Sequence, residues 1–260
     1  MILTIHIDNR VITLAAQRSD SIAASARIGA DPLCTADQYA ACIRQLLSSA
    51  GIDTDALQGA VISSVVPKLT PALSQAAMRL THGKKPLFVG AGIKTGLNLR
   101  LDSVSTVGSD FICNAVAALS QWEPPLVILN LVNATTFSAI DQNRVLTGRS
   151  ILPGVQSALE HLCESSAQLP EVSLSPSAPL LGRSTADAIR SGALYGTISM
   201  VEGMLARYRE ALGGGDIPVI ATGDAAPWIA KHFPGIHFCE HLLLDGLRIL
   251  YFKNTAGSKS

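Results

Sequence analysis

The chain of 260 residues has no excess of either charge: 20 Lys and Arg balance 20 Asp and Glu. No whole-chain field therefore draws in nucleic acid or an anionic membrane, and ionic binding must rest on local charge. Long apolar runs are also missing. No stretch approaches the roughly 20 residues that span a bilayer, and the opening "MILTIHID" meets a histidine and an aspartate too early for a signal sequence. The expectation is a cytoplasmic protein without a membrane partner. Cysteines are few, odd in number and never in a CxxC pair: Cys34, Cys42, Cys113, Cys163 and Cys239. That pattern speaks against a disulfide framework and a zinc site, and leaves free thiols. GxxxxGK[ST], HExxH, GxSxG and an EF-hand loop are all absent, and His161, His232, His237 and His241 lack metal-ligand spacing.

What is present is apolar bulk, 48% of the residues, enough for one large core or for two smaller lobes. Leu3 to Ile7, Val11 to Ala15 and Ser21 to Ile28 read as strands separated by the turn-formers "DN" and "RSD". A helix with a Thr35/Gln38 capping box runs to about Ala50, where Gly51 stops it. A strand at Gly59 to Val66, a helix opened by Pro67, a strand at Pro86 to Gly90 and a helix from Ser109 to Trp122 follow. The order then restarts with strands at Leu126 to Val132, Thr135 to Asp141 and Val145 to Leu152. Helices at Val155 to Gln168, Ser184 to Leu212, Ala225 to Phe233 and Glu240 to Phe252 enclose a strand at Ile217 to Gly223. Gly213 to Gly215 reads as a helix stop, and the tail from Lys253 to Ser260 as disordered.

The duplicated order predicts an α/β protein of two lobes, residues 1–122 and 123–252, each a mixed sheet flanked by helices, with a ligand cleft between them. This is the plan of the superfamily that includes actin, acetate kinase and hexokinase, a ribonuclease H-like duplication. By that analogy the turns "IHIDNR" and "NLVNATT" hold nucleotide phosphates.

Seven segments sharpen the analogy: "SSVVP" (Ser63 to Pro67), "KTGLNLRLDS" (Lys94 to Ser103), "VGSD" with "NAVAA" (Val107 to Ala118), "ATTF" (Ala134 to Phe137), "ILPGV" (Ile151 to Val155), "GRSTADAIRSGALYG" (Gly182 to Gly196) and "VIATGDAAPWIA" (Val219 to Ala230). In order and spacing the chain resembles the type III pantothenate kinases over nearly its whole length. The resemblance implies ATP-dependent phosphorylation of pantothenate, the first step toward coenzyme A, in a dimer. Such chemistry needs a base for the hydroxyl proton, backbone N–H groups close to phosphate, and cations to offset its charge. If the chain is active, the implied cofactors are ATP, Mg²⁺ and a monovalent cation, K⁺ or NH₄⁺.

The same resemblance marks departures. Where the family reads Asp-x-Gly-Asn-Thr, this chain has His6 for the carboxylate, Asp8 for the glycine, Asn9 unchanged and Arg10 for the threonine. An uncompensated Asp8 about 4 Å from a phosphate costs roughly 1 kcal/mol in water and about 4 at an effective dielectric of 20. Two readings stay open: Asp8 takes the metal, displaced about 6 to 7 Å along the strand, or His6 and Asp8 simply hydrogen-bond in a former cleft. In the second turn Asn130 replaces an aspartate, Val132 a glycine and Asn133 a threonine, while Thr135 is kept. On the acceptor side Gly108 and Asp110 match a motif whose aspartate acts as general base, but Phe111 replaces an arginine, and Leu101 a tyrosine. Without the resemblance, Asp110 reads as a cap or dipole partner at a helix start. Thr185 matches a threonine of the cation and substrate site; Gly223 is kept on the adenosine side, but Asp224 replaces the next glycine.

Three functions follow from these departures. One is a catalytically impaired homologue, a pseudokinase that pairs as homodimer or heteromer with an intact relative. The others are a divergent working kinase on pantothenate or another small hydroxylated acceptor, and a sensor of a nucleotide or coenzyme A precursor.

Overall fold

The computed structural model describes residues 1–99 and 107–255. Its strands are β1 (Ile2–Ile7), β2 (Val11–Gln17), β3 (Ile22–Gly29), β4 (Ala60–Ser64), β5 (Leu87–Phe88), β6 (Asn98–Leu99), β7 (Leu126–Leu131), β8 (Ala134–Ile140), β9 (Val145–Pro153), β10 (Val219–Thr222) and β11 (Ile236–Phe238). The helices are α1 (Ala36–Ser49), α2 (Thr70–Leu80), α3 (Ser109–Gln121), α4 (Val155–Glu164), α5 (Thr185–Ala211), α6 (Ala226–Ala230) and α7 (Leu242–Thr255).

The duplication is topological. β1, β2 and β3 form an antiparallel meander, β4 adds parallel to β1 and β5 parallel to β4, giving the order β3-β2-β1-β4-β5. β7, β8 and β9 repeat the meander, β10 adds parallel to β7 and β11 parallel to β10. Only β6, parallel to β9 at the edge, has no counterpart in the first sheet.

Two compact units result: residues 1–97, 107–121 and 241–255, and residues 98–99 and 122–240. This corrects the linear division at 122/123, because α7 packs against α3, β1 and β4 of the first unit. The expected tail also begins too early, since Lys253 to Thr255 complete α7; residues 256–260 lie outside the described part.

In the first unit the alternation of a strand assigns the faces. Leu3, Ile5 and Ile7 point to α1 and α2, where they pack with Ile43, Leu47, Leu73 and Leu80, all buried. Each such side chain contributes about 1.5–3 kcal/mol of transfer free energy. Thr4 and His6 therefore face the other side. There Gln17 Nε2 donates to Thr4 Oγ1 at 2.8 Å and to Leu244 O of α7 at 2.9 Å, while its Oε1 is buried with no partner. α3 and α7 cross at Gly246, whose Cα lies so near Cys113 that a Cβ would come within 2.8 Å of the Cys113 Cα and closer still to its carbonyl.

Local signals held at several ends. Thr35 and Gln38 form the expected capping box, and Gly51 ends α1 at φ 75°. Gly213, Gly214 and Gly215 all have positive φ after α5. α2 starts at Thr70, with Pro71 in its first turn, and not at Pro67, which precedes it in a turn.

Candidate functional site

In the first unit the end of β1 carries the sequence-predicted residues. His6 pairs in register with Ser63 of the parallel strand β4, which brings His6 Nδ1 to 3.1 Å from Ser63 Oγ. Ser63 Oγ is 2.8 Å from Ser109 Oγ, and Ser109 Oγ donates to Ser64 O at 3.3 Å. Ser63 Oγ thus links the His6 ring to Ser109. Ser109 opens α3, and the chain of bonds fastens that helix start to the sheet. Burial pushes the His6 imidazole below its ordinary value of 6.5, against the opposing pull of the Asp110 and Asp8 carboxylates.

Asp110 stands in the first turn of α3, over Gly108. Its Oδ1 is buried without a hydrogen-bond partner. Burial raises its carboxyl above the ordinary 3.8, with His6 and the Phe111 N–H working the other way. One helical turn on, burial also raises the Cys113 thiol. Phe111 N–H donates to Gly108 O at 3.1 Å and its ring is half-buried.

The β1–β2 turn is closed by Asp8 N–H donating to Val11 O at 3.1 Å. Asp8 Oδ1 accepts from Asn9 N at 2.7 Å and from Asn9 Nδ2 at 3.2 Å. Asp8 is thus the acceptor of its own turn, and His6 bonds Ser63, each residue hydrogen-bonded to a different partner. Asn9 and Arg10 are exposed, and Arg10 O accepts from Ala30 N–H at 3.0 Å.

In the second unit Asn130, at the end of β7, pairs with Thr136 on β8 and Thr222 on β10, so three buried polar side chains share one face across three strands. Thr135 does not join them. It pairs with Leu131 and Leu152, whose face packs under α5, and its Oγ1 is buried with no partner. The period of two exchanges the expected Thr135 for Thr136. Val132 is partly exposed, while Asn133 turns to α4: its O and Oδ1 lie 3.1 and 3.0 Å from Ser157 Oγ. Gly223, at φ 103°, lies on the Leu131 carbonyl, which accepts the Ala225 N–H at 3.2 Å; an L side chain is excluded there by both φ and space. Asp224 is exposed, and so is Thr185 at the start of α5, behind the cap Ser184. Leu101 lies outside the described residues.

Ser63, Ser109, Thr136, Thr222 and Ser157 are the polar partners that sequence reasoning did not single out. Ser63 and Ser109 sat inside recognised segments, but the bond of Ser63 to His6 needs parallel pairing across 57 residues. Magnesium favours hard oxygen ligands, usually one or two carboxylates beside phosphate. The β1–β2 turn offers Asp8, with Oδ1 already engaged, and the β7–β8 turn offers no carboxylate. Among the described residues no three His, Cys, Asp or Glu side chains gather where they could hold a metal ion. The β1–β2 turn thus supplies magnesium with one anionic side chain and the β7–β8 turn with none. No described helix is long and apolar enough to cross a membrane.

Two mixed sheets, each a three-strand meander extended by parallel strands and flanked by helices, define the actin-like ATPase fold. The activator of 2-hydroxyisocaproyl-CoA dehydratase from Clostridium difficile, solved with ADPNP, shares it at a TM-score of 0.51 and 12% identity, over 98% of this chain and 95% of that one. A sequence profile of the type III pantothenate kinase family matches residues 2–207. Type III pantothenate kinases of Exiguobacterium sp. and Moorella thermoacetica are 34% and 36% identical over 255 and 256 residues, 98% of this chain and 99% and 100% of theirs. The chain belongs to the type III pantothenate kinase family.

Proposed function

We propose that the chain is a type III pantothenate kinase homologue with impaired transfer of phosphate from ATP to pantothenate, and that it serves as a non-catalytic subunit beside a catalytically intact homologue. The observation that carries this reading is His6. Where the family resemblance sets a metal-organising carboxylate, a partly buried imidazole is fastened to Ser63 and kept toward its neutral form. A neutral ring neither holds a hard cation nor offsets triphosphate charge, and Asp8 adds a negative charge where phosphate would approach.

The pattern of retention supports the reading. "SSVVP" supplies the end of β4 and the turn after it, and "NAVAA" is buried throughout in α3. Most of the replaced residues instead lie at the β1–β2 and β7–β8 turns and at the start of α3, with Asp224 after β10. Asp110 stays as a base without a positioned phosphate to serve.

Purified chain assayed with ATP, Mg²⁺, K⁺ or NH₄⁺ and pantothenate is expected to give no turnover. Easily measured phosphopantothenate formation, abolished by Asp110→Asn, would sink the proposal. The subunit role predicts co-purification with an intact family member when the two are co-expressed; a chain that stays alone or pairs only with itself contradicts that part.

A further inference from the structure

Residues 90–97 belong to no strand or helix, yet their course is held at one place. Lys94 N–H donates to Asn254 Oδ1 at 2.8 Å, and Asn254 Nδ2 donates back to Lys94 O at 3.1 Å. A single carboxamide, 160 residues away in sequence, satisfies both backbone groups of Lys94 as a neighbouring strand would. Its orientation is fixed by the partners, since the flipped amide would aim NH₂ at the Lys94 N–H. Nδ2 also donates to Leu250 O at 2.8 Å, one turn back in α7, so the side chain is set before it meets Lys94.

Its neighbour adds a second hold. Lys253 Nζ donates to Thr95 O at 2.9 Å and passes over Gly96, where a Cβ would collide with the ammonium. Gly96 has φ 78°, and Leu97 N–H closes the turn on Thr95 Oγ1 at 3.1 Å. Leu97 is the last residue of the first unit before the chain enters β6 in the second.

We infer that the last turn of α7 is a clamp: Asn254 and Lys253 fix the backbone of Lys94 to Gly96, and so set the course of the chain as it leaves the first unit. Both are positioning residues acting on backbone, and the inference is independent of whether the chain turns over ATP. Only a side chain with a donor and an acceptor on one planar group fills the place of Asn254, and only glycine suits position 96.

Hydrogen exchange followed by residue tests it. In the wild type the Lys94 amide is protected, and Asn254→Ala speeds its exchange by about tenfold or more, while β1 amides keep their rates. Asn254→Asp keeps the acceptor for the Lys94 N–H but loses both donations, and gives an intermediate rate. Gly96→Ala leaves α7 intact and still speeds exchange from Lys94 to Leu97. Should Asn254→Ala also loosen β1, the Gly96→Ala and wild-type rates decide. A Lys94 amide unprotected in the wild type, or unchanged by both alanine variants, overturns the clamp.

Discussion

Adding one methyl group to Gly246 should destabilise the first unit, whereas the same change at Gly192 should stabilise the second. At Gly246 the new Cβ would lie 2.5 Å from the Cys113 carbonyl carbon and 2.8 Å from its Cα, all of it backbone that no rotamer change can remove. α3 and α7 must then move apart. Overpacking of this kind costs about 1–3 kcal/mol, against a gain of about 1 kcal/mol for alanine over glycine in a helix. With the backbone blocked, the upper end of the cost applies, and a net loss of about 1–2 kcal/mol follows. That lowers the midpoint of thermal unfolding by roughly 2–8 °C at the scale of this chain. Gly192 lies on the exposed side of α5 with nothing within 4 Å of a Cβ, so alanine there keeps the helix gain of up to about 1 kcal/mol. Thermal and urea unfolding of both variants beside the wild type provide the assay. A Gly246→Ala protein as stable as the wild type would refute the close crossing of α3 and α7, and a loss at Gly192 equal to that at Gly246 would refute the reasoning from space.

Thr35→Ala removes the acceptor of the Gln38 N–H and should cost about 1 kcal/mol, seen as a lower urea midpoint at unchanged slope. Because burial lowers the folded His6 below 6.5, the unfolded chain binds that proton first on acidification; the stability His6 contributes is full above pH 6.5 and is lost as pH falls below it. His6→Gln should flatten the stability profile below pH 6.5, and an unchanged slope would remove His6 from the account. Asp110 works in the opposite sense: its raised carboxyl favours the fold below pH 3.8 and loses that contribution as pH rises through the folded value. Asp110→Asn should therefore gain relative to the wild type as pH climbs from 4 to 7.

The two meanders were legible because alternating apolar runs and short polar turns are local signals, and the repeat of that order pointed to a duplicated fold. β11 was not: three residues, with His237 and Phe238 exposed, carry no periodicity. The start of α2 was misplaced because Pro67 and Pro71 give the same helix-entry signal, and only packing selects the second. α7 looked like the end of the second lobe because sequence order says nothing of where a helix returns. At the site, residue types could be read from the turns, but partners could not. His6 meets Ser63 by parallel pairing, and Asp8 bonds its own neighbour, a choice between local and distant acceptors that geometry alone decides. Thr135, expected at the start of a strand and at the phosphate site, is turned into the core by the register of β7 and β8, which brings Thr136 beside Asn130.

Calorimetric titration of ATP into the purified chain, with and without Mg²⁺, reaches the central claim most directly. Turns that offer a neutral imidazole, an amide and an engaged aspartate predict no magnesium-dependent gain in ATP affinity. Saturable ATP binding that tightens when Mg²⁺ is added, and weakens when Asp8 is replaced by asparagine, would contradict it.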